Sequence, residues 1–249
     1  MSSLLPSSTV ALVTGSNRGI GRALVEALLA RGVTKVYAAA RNPDSVRDLV
    51  AAHGARVVPL RLDVTDASQI RVAASVAPDV TLLINNAGYA ANADLFGADL
   101  DAARQEFEVN YWGPLQLIRA FAPSLKGRPG AAVVTVSSVA GLTNFPMYPT
   151  YSDSKAAVHS LITGARHLLA AHRVKVIGVY PGPVDTDMAR SIPMAKATPQ
   201  TVADAILDAV VRGDDDVFPD PMAAGFAVPY QAGAKVLERQ TAAMLAAPA

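Results

Sequence analysis

Short apolar runs alternate with longer stretches of helical periodicity along most of the chain. Residues 10–14 read as a buried strand and 19–31 as an amphipathic helix. Further strands are expected at 35–40, 57–62, 81–85, 132–137 and 174–180, with a short last one at 217–218. Helices are expected at 44–53, 67–76, 100–124, 151–171 and 199–212. In the helix from 151, Val158, Leu161, Ile162, Ala165, Leu168 and Leu169 have core spacing. Continuously apolar strands separated by helices argue for a parallel sheet covered on both faces. Right-handed crossovers then make it a doubly wound, Rossmann-type α/β sheet. No repeat, low-complexity tract or linker divides the chain, so 1–249 is read as a single domain. Loops at 89–99, 139–150 and 183–197 follow strands on the carboxyl edge, where such sheets bind ligands.

Composition narrows this only by exclusion. The chain is 51% hydrophobic and 17% charged, enough for a core and against disorder. A net charge of +1 gives no electrostatic case for nucleic acid or a membrane surface. With no cysteine, disulfides, thiolate nucleophiles and cysteine metal sites are excluded. Residues 1–8 lack the basic and apolar regions of a signal peptide, and no stretch approaches the roughly 20 apolar residues of a spanning helix, so a cytoplasmic protein is expected.

The chemistry begins at the turn Thr14-Gly15-Ser16-Asn17-Arg18-Gly19-Ile20-Gly21, between the first strand and the first helix. Its glycines allow a tight turn, close approach of backbone to a pyrophosphate, and N–H groups aimed at the anion with a helix dipole behind them. Strand two ends at Ala40-Arg41 with no carboxylate at its tip. An acid there would hold the ribose hydroxyls of NAD, whereas arginine suits the 2′-phosphate of NADP. Arg41 and Arg18 therefore favour NADP(H), with NAD(H) still allowed. Asp63, ending strand three, can accept a bond from the adenine amino group. Asn85-Asn86-Ala87-Gly88 closes strand four with small residues against the adenosine ribose.

Tyr151 and Lys155 stand four residues apart and share one helix face, just after Ser137-Ser138 closes a strand. Holding a phenolate near neutrality takes about three pH units, or roughly 4 kcal/mol. One ammonium at about 4 Å supplies an energy of that order. Lys155 is thus expected to poise Tyr151 as a proton donor, while Ser138 polarises the substrate carbonyl. Pro114 lacks the N–H that would bond the carbonyl of Asn110, so that carbonyl is freed for a water bridge to Lys155.

Taken together the chain resembles the short-chain dehydrogenase/reductase family over nearly its whole length. The resemblance is carried by Thr14-Gly15-x-x-x-Gly19-x-Gly21, Asp63-Val64, Asn85-Asn86-Ala87-Gly88, Asn110, Ser138, Tyr151-Ser-Asp-Ser-Lys155 and Pro181-Gly182-Pro183-Val184-Asp185-Thr186. It implies a catalytic tetrad of Asn110, Ser138, Tyr151 and Lys155, with Ser138 preferred over Ser137. It implies too that Lys155 bonds the nicotinamide ribose, that Val184 and Thr186 hold the carboxamide, and that Pro181, Val64, Asn17 and Ile20 border the cofactor. A homodimer or homotetramer is implied as well, and the small-residue face of Ala156, Ala157, Ser160 and Gly164 suits close helix packing between subunits.

The expectation is an NADP(H)-dependent carbonyl reductase or secondary-alcohol dehydrogenase. Its small-molecule pocket is expected to be lined by Tyr89, Val139, Leu142, Phe145, Met147, Tyr148, Pro183, Met188 and Ile192. That lining favours a hydrophobic or aromatic ketone over a sugar; Arg190 reads as a surface charge, with a contact to an acidic substrate group as the alternative. Rivals are a short-chain fold running dehydration or epimerisation, and a regulatory protein that senses the nucleotide without turning it over. The four histidines show no metal spacing, and no hydrolase elbow or P-loop is present.

Overall fold

The computed structural model describes residues 5, 8–91, 93–97 and 100–246. Seven parallel strands form one sheet: β1 Val10–Thr14, β2 Lys35–Ala40, β3 Val57–Arg61, β4 Leu82–Asn85, β5 Ala132–Val136, β6 Lys175–Val179 and β7 Asp216–Val217. Their order is β3-β2-β1-β4-β5-β6-β7. In register, Leu12 of β1 stands beside Tyr37 of β2 and Leu83 of β4. Because side chains alternate across a strand, Leu12 enters the core on one face while Ala11 and Val13 enter the other.

The two cores are covered by helices. Helix α1 (Gly19–Ala30) packs over the face of Ala11 and Val13, beside the later α7 (Pro199–Arg212); α2 (Arg47–His53) contributes Leu49 to the same core. On the opposite face lie α3 (Ala67–Val76), α5 (Gly113–Leu125) and α6 (Pro149–Ala170). Leu168, expected in the core, is 77% exposed: α6 turns it to the outer side while Leu169 goes in.

Two local departures have identifiable causes. The expected helix at 44–53 divides, because Asn42 caps a 3-10 turn at Pro43–Val46 before α2 begins. The long helix expected at 100–124 is three pieces: α4 (Leu100–Phe107), a π turn at Glu108–Trp112, and α5. The Gly113 N–H reaches back to the Glu108 carbonyl, one residue further than in an α-helix. Pro114 follows at once, and its missing N–H makes this the weak point of the ladder.

Beyond β7 the chain adds α8 (Pro221–Ala232) and α9 (Ala234–Ala246), which the apolar pattern did not reveal. In α8 the apolar residues lie on all sides, with Val228 exposed and Phe226 buried, and Pro229 sits inside the helix. Phe226 and Leu237 build a third, smaller core with Val139, Phe145 and Tyr180. Among the described residues no helix is long and apolar enough to cross a membrane.

Candidate active site

The strand order reverses between β1 and β4, and the crevice at their carboxyl ends is where an open α/β sheet binds its ligand. Gly15 takes φ +67°, a left-handed conformation that favours glycine. A Cβ on Gly21 would lie 2.1 Å from the Gly15 carbonyl oxygen, so the helix can start this close to the turn only without a side chain. The Thr14 hydroxyl accepts from the N–H groups of Asn86 (2.9 Å) and Ala87 (3.0 Å), and the Asn86 amide donates to the Thr14 carbonyl at 2.8 Å. The side chain of Asn86 is therefore spent on joining β4 to the glycine turn, which leaves Ala87 and Gly88 as the bare surface. This is a cradle of the right form for a dinucleotide, with Asn17, Gly19 and Ile20 along the start of α1.

Farther along the edge, Asp63 accepts the N–H and hydroxyl of Thr65 through Oδ1 (3.0 and 2.8 Å). Val64 is buried against Gly113, so its side chain serves the core and only its backbone borders the crevice. Arg41 is exposed and has no hydrogen bond or ion pair among the described residues. Arg18, expected at the 2′-phosphate, instead pairs with Asp187 at 2.7 Å across the mouth of the crevice. Asp187 also pairs with Arg190, and both arginines are exposed. Arg190 is thus a surface charge held by Asp187, which leaves the alternative of a substrate contact without support.

The four expected catalytic residues come from three places: the π turn, the end of β5, and α6, which carries both Tyr151 and Lys155. Ser138, just past β5, caps the turn Val139–Gly141: its Oγ accepts the Ala140 N–H at 3.1 Å and donates to the Pro181 carbonyl at 3.3 Å. Ser137 is buried and donates to the Lys155 carbonyl at 3.0 Å, a packing role. Asn110 lies in the π turn. Its Oδ1 accepts the Tyr89 N–H at 2.9 Å, and its Nδ2 donates to the Tyr89 carbonyl (2.8 Å) and to Ser154 Oγ (2.9 Å). Gly88 marks the meeting point: a Cβ there would lie 3.5 Å from Asn110 Oδ1, 3.7 Å from Lys155 Nζ and 3.8 Å from Met188 Cε.

Lys155 is 4% exposed, with Nζ 5.7 Å from the centre of the Tyr151 ring and donating to the Val136 carbonyl at 3.0 Å. Burial draws its ammonium down to about 8. Burial also pushes the Tyr151 phenol up to about 12, a rise that the Ser138 hydroxyl opposes and the Glu106 carboxylate reinforces. The phenol is raised and not, as the spacing predicts, lowered by Lys155, since the ammonium is committed to Val136 and desolvation dominates both groups. Tyr151 keeps its proton across the neutral range and stands as a donor.

Three residues with roles at the site were not read from the sequence. Ser154 links Asn110 to α6, donating in turn to the Tyr151 carbonyl at 2.7 Å. Glu106 is wholly buried one turn before Asn110. Asp220 accepts the Gly182 N–H at 2.8 Å and caps α8 through the Ala223 N–H at 2.9 Å. Only Asp220 carried a legible signal, an Asp-Pro pair marking a helix start. Past Pro181, the Val184 side chain is buried, so only its main chain faces the crevice, while Thr186 packs against Gly19.

Part of the expected lining moves into the core. Val139 and Phe145 are buried beneath α8 and α9. Leu142, Tyr148, Pro183 and Ile192 are half-buried, and Tyr89, Met147 and Met188 are exposed, with Met194 beside them in sequence on the 183–197 loop. Residues 92, 98 and 99 of the 89–99 loop lie outside the described residues. His159 bonds the Tyr180 hydroxyl at 2.8 Å in an aromatic cluster, and among the described residues no group of metal-ligating side chains occurs.

Comparison with known proteins agrees with this geometry. A family model described as short chain dehydrogenase matches residues 9–197. A short chain dehydrogenase from Burkholderia cenocepacia, solved in complex with NADP, is 44% identical and superposes with a TM-score of 0.87 over 96% of this chain and 98% of its own. An NADPH-bound carbonyl reductase from chicken fatty liver is 29% identical, with a TM-score of 0.75 over 81% of this chain and 90% of its own. The curated oxidoreductase BOA17 of Botryotinia fuckeliana is 34% identical over 72% of this chain and 67% of its own. With the glycine cradle, the serine at the end of β5 and the Tyr-Lys pair of α6 all at one sheet edge, this chain belongs to the short-chain dehydrogenase family.

Proposed function

We propose that the protein is an NADP(H)-dependent reductase of hydrophobic or aromatic ketones, working reversibly on the secondary alcohols. The observation that carries the reading is that Tyr151 meets both the Ser138 hydroxyl and the Lys155 ammonium, with Lys155 and Asn110 beside the bare edge of Gly88. Ser138 donates a hydrogen bond to the substrate oxygen, in place of the one it gives Pro181. Tyr151 donates the proton that turns the nascent alkoxide into an alcohol. Lys155, whose Nζ lies beside Gly88, would hold the nicotinamide ribose, and Asn110 fixes the Tyr89 backbone beside the reacting centre. The bound nicotinamide supplies or accepts the hydride.

For the cofactor, the Gly15–Gly21 cradle and the backbone edge of Ala87 and Gly88 suit the pyrophosphate and ribose. Arg41, unpaired among the described residues, suits the 2′-phosphate. The NADP complex of the Burkholderia cenocepacia relative supports the same choice. Tyr89, Met147, Met188 and Met194 give an adaptable apolar rim, which suits varied apolar ketones over a sugar. The exposed small-residue line Ala156, Ser160 and Gly164 of α6 suits a homodimer or homotetramer. A panel of ketones and alcohols with each cofactor, followed by nicotinamide absorbance, tests this. Net turnover of aromatic ketones with NADPH is expected. Turnover of none of them, with cofactor still bound, would return the reading to a nucleotide sensor.

A further inference from the structure

Asp220 is buried, and its carboxylate holds two backbone groups at once: the Gly182 N–H at 2.8 Å and the Ala223 N–H at 2.9 Å. The first turn of α8 is thereby fixed over the loop that leaves β6. Gly182 has no side chain, yet the space around it is filled. A Cβ there would lie 3.1 Å from Met222 Cβ and 3.2 Å from Met222 Sδ. In that turn Ala223 is wholly buried, while Pro221 and Ala224 are exposed. Met222 is half-buried, so it lies at the boundary between core and open space. It packs on the third core, whose partly buried neighbours also include Leu142 and Tyr151. The adjoining carbonyl, that of Pro181, receives the Ser138 hydroxyl at 3.3 Å and the Val139 N–H at 3.1 Å. Met222 therefore rests on the residue next to the one that orients Ser138, against the same apolar cluster as Tyr151.

We infer that Met222 is a specificity-determining residue: its thioether borders the space in front of Ser138 and Tyr151 and sets how large a carbonyl substituent fits there. The inference rests on the reductase reading and deepens it, by naming the wall against which the bulkier, aromatic group of the ketone lies. Methionine suits that task because it is unbranched, turns about several bonds and makes favourable contacts at the edge of an aromatic ring. The Asp220 cap fixes the backbone beneath it, while the thioether end can adapt to apolar groups of different shape. An apolar wall of this kind discriminates by size, where one methylene changes kcat/KM by about 10–200-fold. Residue 222 is far from every motif in the chain, and the Asp220–Gly182 bond is what brings it to the end of β6.

The chain contains no cysteine, so Met222→Cys introduces a single thiol whose alkylation by iodoacetamide reads access to this position. The rate is measured with NADP+ bound, with and without acetophenone, so that no hydride is available and no turnover is required. At several times its dissociation constant, acetophenone should slow the alkylation by about fivefold, as occupancy of the site demands. Val228→Cys, on the exposed side of α8, should react at the same rate with and without it. A second measurement compares kcat/KM for acetonaphthone with that for acetophenone on one preparation of each variant, a ratio that partial unfolding leaves unchanged. Met222→Ala should raise the ratio and Met222→Trp should lower it, each by about tenfold. Should Met222→Cys fail to fold, the ratio alone decides. Alkylation that acetophenone does not slow, or a ratio that both substitutions leave at the parent's value, overturns the inference and makes Met222 a packing residue of the third core. If the parent reduces no ketone yet acetophenone protects the thiol, the reductase reading fails and the assignment of Met222 to the pocket wall stands.

Discussion

The Lys155 ammonium donates to the main-chain carbonyl of Val136 at 3.0 Å, tying the cation of the site to the last residue of β5. That bond partly offsets the cost of burying a charge, but the pKa of about 8 shows that burial wins. Between about 8 and the ordinary lysine value of 10.5 the unfolded chain holds a proton that the folded chain has lost, so stability rises with pH across that window. Below it, the folded protein carries the full desolvation cost. Lys155→Met should therefore stabilise the cofactor-free protein at neutral pH by roughly 1–3 kcal/mol while abolishing turnover. The gain should shrink above pH 8 and be nearly gone past the ordinary lysine range. Chemical denaturation at several pH values checks the sign; a loss of stability at pH 7 would contradict the assignment.

Tyr151→Phe removes the phenolic oxygen and keeps the ring that packs against the third core. Ketone reduction should fall about 10²–10⁴-fold, the usual worth of a positioned acid, with cofactor affinity nearly unchanged. Cofactor fluorescence titration beside steady-state rates separates the two. If both affinity and activity survived, Tyr151 would not be the donor.

Arg41 is exposed and unpaired, whereas Arg18 is held by Asp187. Arg41→Asp should lower NADPH affinity far more than NADH affinity, because a carboxylate then faces the 2′-phosphate. Asp187→Asn should release Arg18 and tighten NADPH by at most about fivefold, the worth of an exposed ion pair. Dissociation constants for both cofactors decide this, and equal losses for both in Arg41→Asp would refute the phosphate assignment.

Asp220 joins the backbone of Gly182 to the start of α8 with one carboxylate. Asp220→Ala removes a helix cap and strands a buried N–H, for a loss of about 2–3 kcal/mol. Because Gly182 follows Pro181, whose carbonyl receives Ser138, kcat should fall as well as Tm. Thermal melts and rates on the same preparation would show it; a melt unchanged from the parent would remove Asp220 from the site's support.

The alternation of apolar runs and helical stretches was enough to place all seven strands to within a residue at each end, since a strand buried on both faces must be apolar throughout. The glycine turn, Ser138, Tyr151 and Lys155 were legible because their chemistry depends on residue type and short-range spacing. Other features depended on contacts between residues far apart in the chain. Nothing local says that Glu106 would be sealed under the loop of β4, that Asp187 would take Arg18, or that Val139 and Phe145 would be covered by α8 and α9. Helices α8 and α9 themselves were missed because their apolar residues follow no single stripe.

The direction of the phenol's pKa belongs to the same class. Spacing alone sets Lys155 one turn from Tyr151 and suggests a lowered value. Only the folded chain decides how deeply both groups are buried and which carbonyl the ammonium meets, and desolvation, a property of everything packed around a side chain, is what moves them here.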